Sequence, residues 1–116
     1  MTAPHDVPTA GQLVEAVREF LEGDVSAATE GRVRFHARVA ANVCAMVERE
    51  LALGPAQAEA QAARLAAFGV VDDAELAAAI RRGDLDDRYA EVAAAVRETV
   101  RDKLLVANPK YLDNPA

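Results

Sequence analysis

Residues 30–53, EGRVRFHARVAANVCAMVERELAL, constrain the fold more than any other stretch of this chain. At about 100° per residue, Val33, His36, Val39, Ala40, Val43, Val47 and Leu51 fall on one side of a helix. The spacing predicts one long helix whose wide apolar stripe faces a core, with His36 in its middle and Glu50 at its margin. Beside that stripe runs a second strip, Phe35, Arg38, Asn42, Met46 and Arg49, half apolar and half polar. A helix with two such strips is a natural centre for other helices and for a partner.

The rest of the chain reads as helices set around this one. Pro4 and Pro8 mark residues 1–8 as an extended arm. Thr9 and Gln12 fit a capping box, opening a helix that runs to a stop at Gly23, with Leu13, Val14, Val17, Phe20 and Leu21 inward. Asp24 to Thr29 crosses to the central helix, with room for a helical turn around Val25. Gly54-Pro55 reads as the end of the central helix and the first turn of the next. That next helix, 55–68, presents Ala58, Ala62, Leu65 and Phe68 inward and Gln57, Glu59 and Gln61 outward. Asp72 to Glu75 caps a short helix over 73–82, with Leu76 and Ile80 inward and Gly83 closing it. Asp84, Asp86 and Asp87 sit where carboxylates favour the start of a last helix, 87–107. Its inner side carries Leu85, Tyr89, Val92, Val96, Val100 and Ala107, joined by Thr99 and Lys103. Asn108-Pro109 ends it, and a tail, 108–116, follows with Tyr111 as an aromatic anchor. The expected fold is all-α: one domain, a bundle of four to five helices centred on about 30–53.

With 116 residues the chain can bury a core, but three Phe, two Tyr and no Trp leave that core thin. Its abundant alanines favour helix and close approach while adding little buried area. A partner would supply missing burial. The net charge of −6 opposes nucleic-acid binding. Cys44 is the one cysteine, so no internal disulfide forms, and it reads as a small hydrophobe on a helix. No signal peptide or membrane-length apolar run appears, which makes the cytoplasm the expected compartment.

The inward polar residues His36, Glu50, Thr99 and Lys103 are the candidates for buried chemistry. Glu50 lies about 21 Å along the helix from His36, at 1.5 Å per residue, so the two cannot share a site on one helix. No glycine-rich phosphate loop, metal-ligand pair or nucleophile–base arrangement is present. The expectation is no catalytic residue, no metal and no cofactor.

The strings 31–43, GRVRFHARVAANV, and 47–54, VERELALG, together with 5–10, HDVPTA, and 108–112, NPKYL, resemble a bacterial family of small proteins and C-terminal domains described only as a domain of unknown function. Its members are encoded beside, or fused to, kinases of the aminoglycoside-phosphotransferase-like fold, often with an acyl-CoA dehydrogenase-like enzyme. They resemble the small accessory subunit of the levulinate-pathway hydroxyacyl-CoA kinase. The resemblance implies a non-catalytic accessory role and assigns no catalytic residue. An interface is then expected on Phe35, Arg38, Asn42, Met46 and Arg49, with Lys110 and Tyr111 as a second patch. Two other readings stand beside it. One is an acyl-CoA-binding bundle using Arg32, Arg34 or Lys103 for phosphate, and the other is a homodimeric scaffold.

Overall fold

The computed structural model describes residues 4–113, and among these it holds helices and turns with no strand. The elements are α1 (Ala10–Phe20), a π-helical turn (Leu21–Val25), α2 (Ser26–Ala28), α3 (Gly31–Ala66), α4 (Asp73–Arg82), a 3-10 turn (Asp86–Arg88), α5 (Tyr89–Ala107) and α6 (Pro109–Leu112). The all-α expectation holds. The outer ends of the expected arm and tail, residues 1–3 and 114–116, lie outside the described residues. The chain groups into two compact units, one up to Leu53 and one from Gly54 onward.

Local sequence sets most of the boundaries. At the start of α1, Gln12 N–H donates to Thr9 Oγ1 at 3.2 Å and Thr9 N–H donates to Gln12 Oε1 at 2.8 Å, a complete capping box. At the start of α4, Asp72 Oδ1 accepts from Glu75 N–H at 2.8 Å. Helices α3 and α4 stop in the same way. Gly69 (φ 72°) and Gly83 (φ 82°) take the left-handed conformation. The next amides, Val70 and Asp84, reach back to the carbonyls of Leu65 and Ala79, and both ends are Schellman motifs.

Two expected stops are absent. Gly23 lies inside the π-helical turn, and the chain breaks instead at Thr29, whose backbone is extended (φ −131°, ψ 168°). Gly54-Pro55 lies inside α3, which runs 36 residues without ending there. Pro55 has no N–H to give the carbonyl of Leu51, and its ring crowds the residue before it. That residue is Gly54, which has no Cβ to crowd. The boundary between the two units nonetheless falls at this dipeptide.

The first unit is an antiparallel hairpin of α1 and the first part of α3. Arg34 Nε donates to the Ser26 carbonyl at 2.9 Å, and Arg18 pairs with Glu48. An open groove of about 670 Å³ is lined by His5, Pro8 and Leu13 on one side and Glu48, Leu51 and Ala52 on the other. Numbers rise on one helix as they fall on the other. The packed side of α1 is Val14, Arg18 and Leu21; that of α3 is Ala37, Ala41, Cys44 and Glu48. Ala41 is 2% exposed and Ala37 6%. The stripe expected inside is at the surface, with Val33, Val39, Val43, Val47 and Leu51 between 39% and 53% exposed. Leu13, Val17 and Phe20 are exposed as well. Ala37 and Ala41 lie on the same side of α3 as Glu48, whose partner Arg18 is on α1, so the small residues and not the bulkier stripe are on the packed side.

In the second unit Ala79, Leu85 and Val92 form a small core with Phe68 and Leu76 against it, and Leu65 is 6% exposed. Tyr89, Val96, Val100 and Ile80, expected inside, are exposed. Gln57 and Gln61, expected outside, are half-buried and bonded across the unit. Helix α5 begins at Tyr89, two residues later than expected, and no aspartate caps it. Asp84 instead pairs with Arg82 at 3.0 Å, and Asp86 and Asp87 open the 3-10 turn.

Arg88 ties this turn down three ways: its guanidinium lies 4.9 Å from the Phe68 ring centroid, donates to the Ala67 carbonyl at 3.3 Å, and pairs with Glu91 at 2.7 Å. The hydrogen bond from Arg88, and then its charge, hold the Glu91 carboxyl below its ordinary value. A depressed carboxyl contributes stability above the unfolded value of about 4.3 and loses it as pH falls through the folded value. Glu91→Gln should therefore melt below the unaltered chain at neutral pH, and the two should converge in acid. Thermal melts followed across that pH series check it, and parallel curves throughout would refute it.

Candidate interaction surface

Three consecutive residues recur around the first part of α3 and define three strips. Ala37, Ala41, Cys44 and Glu48 pack toward α1. The residue before each, His36, Ala40, Val43 and Val47, belongs to a second strip about 100° away. The residue before those, in Phe35, Asn42 and Met46, belongs to a third, with Arg38 at its far edge and Val39 where the second and third strips meet.

The third strip is the interface expected from the sequence. Phe35 is 63% exposed, Arg38 and Asn42 are exposed and Met46 is at the edge of exposure. Arg49 is half-buried. The Phe35 ring meets His36 edge-on, with centroids 5.5 Å apart and planes at 78°. On α6, Lys110 is exposed and Tyr111, expected as an anchor, is 64% exposed.

The residues expected to be buried and polar divide. His36, Glu50 and Lys103 are exposed. Thr99 is half-buried and donates to Gln61 Oε1 at 2.7 Å. That glutamine is the hub of a network the sequence reading placed outside. It accepts from Arg64 Nε at 3.0 Å and donates to Asp73 Oδ1 at 2.9 Å. Arg64 in turn pairs with Asp102 at 2.8 Å, and Gln57 donates to the Asp102 carbonyl at 3.0 Å. The signal was present: residues 57, 61 and 64 on α3 and 99 and 102 on α5 have helical spacing, but their polarity pointed outward. Each of these contacts is internal, so the network positions helices. Among the cations considered for phosphate, Arg32 and Lys103 are exposed, whereas Arg34 is engaged by the Ser26 carbonyl. Among the described residues no three His, Cys, Asp or Glu side chains converge as a metal site would require. Nor, among the described residues, is any helix long and apolar enough to cross a membrane.

A family model described as a domain of unknown function, DUF6285, matches residues 27–111. This chain is a DUF6285 protein. The DUF6285 region takes in α3, α4 and α5 whole, with all three strips and the polar network, and stops short of α1. Of the strings that carried the resemblance, 31–43 and 47–54 lie inside it and 5–10 lies outside. No curated protein and no solved structure matches the chain.

Proposed function

We propose that this DUF6285 protein is a non-catalytic accessory subunit that binds an aminoglycoside-phosphotransferase-like kinase acting on hydroxyacyl-CoA substrates. The family resemblance supplies the partner, and one observation carries the surface: the exposed strip of Phe35, Arg38, Asn42 and Met46 on α3. Aromatic and arginine side chains at the centre of a contact dominate binding energy when a partner covers them. Neither side chain supports the fold of its unit, since both are exposed and the packed face of α3 lies elsewhere. Lys110 and Tyr111 form a second exposed patch for the same partner, and an acyl-CoA dehydrogenase-like enzyme acts in the same pathway.

Co-expression of the chain with the phosphotransferase encoded beside it, followed by co-purification and kinase assay on a 4-hydroxyacyl-CoA, tests this reading. A stable complex whose activity depends on the chain is expected. The double substitution Phe35→Ala, Arg38→Glu should weaken that complex by about 100-fold or more and leave the unfolding midpoint of the isolated chain unchanged. Full binding by the double variant would remove this strip as the interface. A kinase equally active without the chain, and never co-purifying with it, would remove the reading itself.

A further inference from the structure

The second strip of α3 and the exposed apolar side of α1 form one face. On α1, Leu13, Val17 and Phe20 each precede a packed residue: Val14, Arg18 and Leu21. On α3, His36, Ala40, Val43 and Val47 each precede a packed residue in the same way. Seen from its own N-terminus, each helix therefore carries its exposed strip turned in the same sense, by about 100°, from its packed side. The two helices are antiparallel, so the equal turns bring both strips to the same side of the hairpin. The combined face holds Leu13, Val17, Phe20, Val43, Val47 and Leu51, all exposed.

We propose that this face binds a second copy of the chain, forming a two-fold dimer in which the two hairpins make a four-helix bundle with α3 antiparallel to α3. The self-complementarity of the strip selects this occupant. His36 and Glu50 lie seven residues on either side of Val43. A two-fold axis through Val43 sets His36 against Glu50 of the partner subunit, and does so twice. The same axis pairs Val39 with Val47 of the partner subunit, and Val43 with itself. His36 and Glu50 cannot meet on one helix, but they meet across this axis. Isologous contacts of this kind pair i with j and j with i.

Size agrees. The 23 residues from Gly31 to Leu53 span about 34 Å, and two adjacent helices are about 20 Å wide. The face thus offers about 700 Å² per protomer, close to the roughly 800 Å² that each side of a standard interface buries. The exposed Val, Leu and Phe residues make its centre apolar, as the core of a homodimer interface is. The proposal stands apart from the kinase reading, because Phe35, Arg38, Asn42 and Met46 lie on the next strip round α3 and stay uncovered.

The full chain, without a partner, is to be followed by sedimentation over a range of concentrations. The expected species has twice the 12.3 kDa chain mass. Val43→Glu places two carboxylates against each other on the axis and should weaken dimerisation by about 100-fold or more. Val43 is 53% exposed, so the helical circular-dichroism signal of this variant should be unchanged. His36→Glu alone opposes Glu50 of the partner subunit and should weaken the dimer by about tenfold; adding Glu50→Lys should restore it. Restoration by the charge exchange would establish this register, which a merely sticky surface would not show. A monomer at every concentration would overturn the proposal and leave the face to a different protein. A dimer indifferent to Val43→Glu and to the charge exchange would overturn it equally, by placing the contact elsewhere.

Discussion

Leu65→Ala should lower the unfolding free energy of the chain by about 2–4 kcal/mol, the largest single-residue loss expected here. Leu65 is 6% exposed, and among the described residues its equals in burial are alanines, Leu85 and Val92. A core this small has few neighbours able to move into the space left by three lost carbons. Its backbone carbonyl also accepts the Val70 amide that closes α3, so the side chain packs beside the turn that directs the chain toward α4. Against a total stability of about 5–15 kcal/mol for a domain, such a loss is a large fraction. Urea titration followed by circular dichroism reads it directly. A midpoint within error of the unaltered chain would show that Leu65 contributes no core packing.

Ala41→Leu should cost about 1–3 kcal/mol for the opposite reason. Ala41 is 2% exposed, lower than any other hydrophobic of the buried set, and it sits where α3 packs toward α1. Three added carbons at that point force the helices apart or push the leucine off its rotamers. Separation would also pull Arg18 from Glu48, the ion pair that crosses the same contact. Ala41→Ser, which adds one atom, is the control and should be milder. If Ala41→Leu instead raises the midpoint, the contact holds spare volume and close approach of the backbones does not define the hairpin.

Both expectations turn on which side of each helix is inside, and this is where the sequence was least legible. The helices themselves were readable. Thr9 and Gln12 announce α1, Asp72 opens α4 and Gly83 closes it, because caps and left-handed glycines are local chemistry. The packed faces were not readable from hydrophobicity. On α3 the valines draw the eye, yet Ala37 and Ala41 go inside. On α5 Tyr89, Val96 and Val100 stand out, yet Thr99 and Asp102 face Gln61 and Arg64. An alanine face scores weakly in any apolar tally, although it allows the closest helix approach. A polar side chain goes inside only when its partner does, and that partner lies about 40 residues away along the chain. Gly54-Pro55 misled for a related reason: a proline usually punctuates, but a glycine before it removes half of the clash that would end the helix. For the candidate surface, the residue identities of the strip Phe35, Arg38, Asn42 and Met46 were legible as a set, and its exposure follows from the alanine face being the one that packs. The polar network around Gln61 was legible as spacing and hidden by its polarity.

The division at Leu53 bears on the time the chain needs to fold. Each unit is an unbroken stretch of sequence. The Arg18–Glu48 tie spans 30 residues, and the Gln57–Asp102 tie spans 45. No strand has to wait for a distant neighbour among the described residues, and most contacts join residues near in sequence. Chains with such local wiring search little conformational space before their contacts reward them, and helical proteins of this kind reach the native state in microseconds to milliseconds. On the ribosome, the α1–α3 hairpin has every residue it needs once Leu53 has emerged, while the residues of the second unit are still being joined.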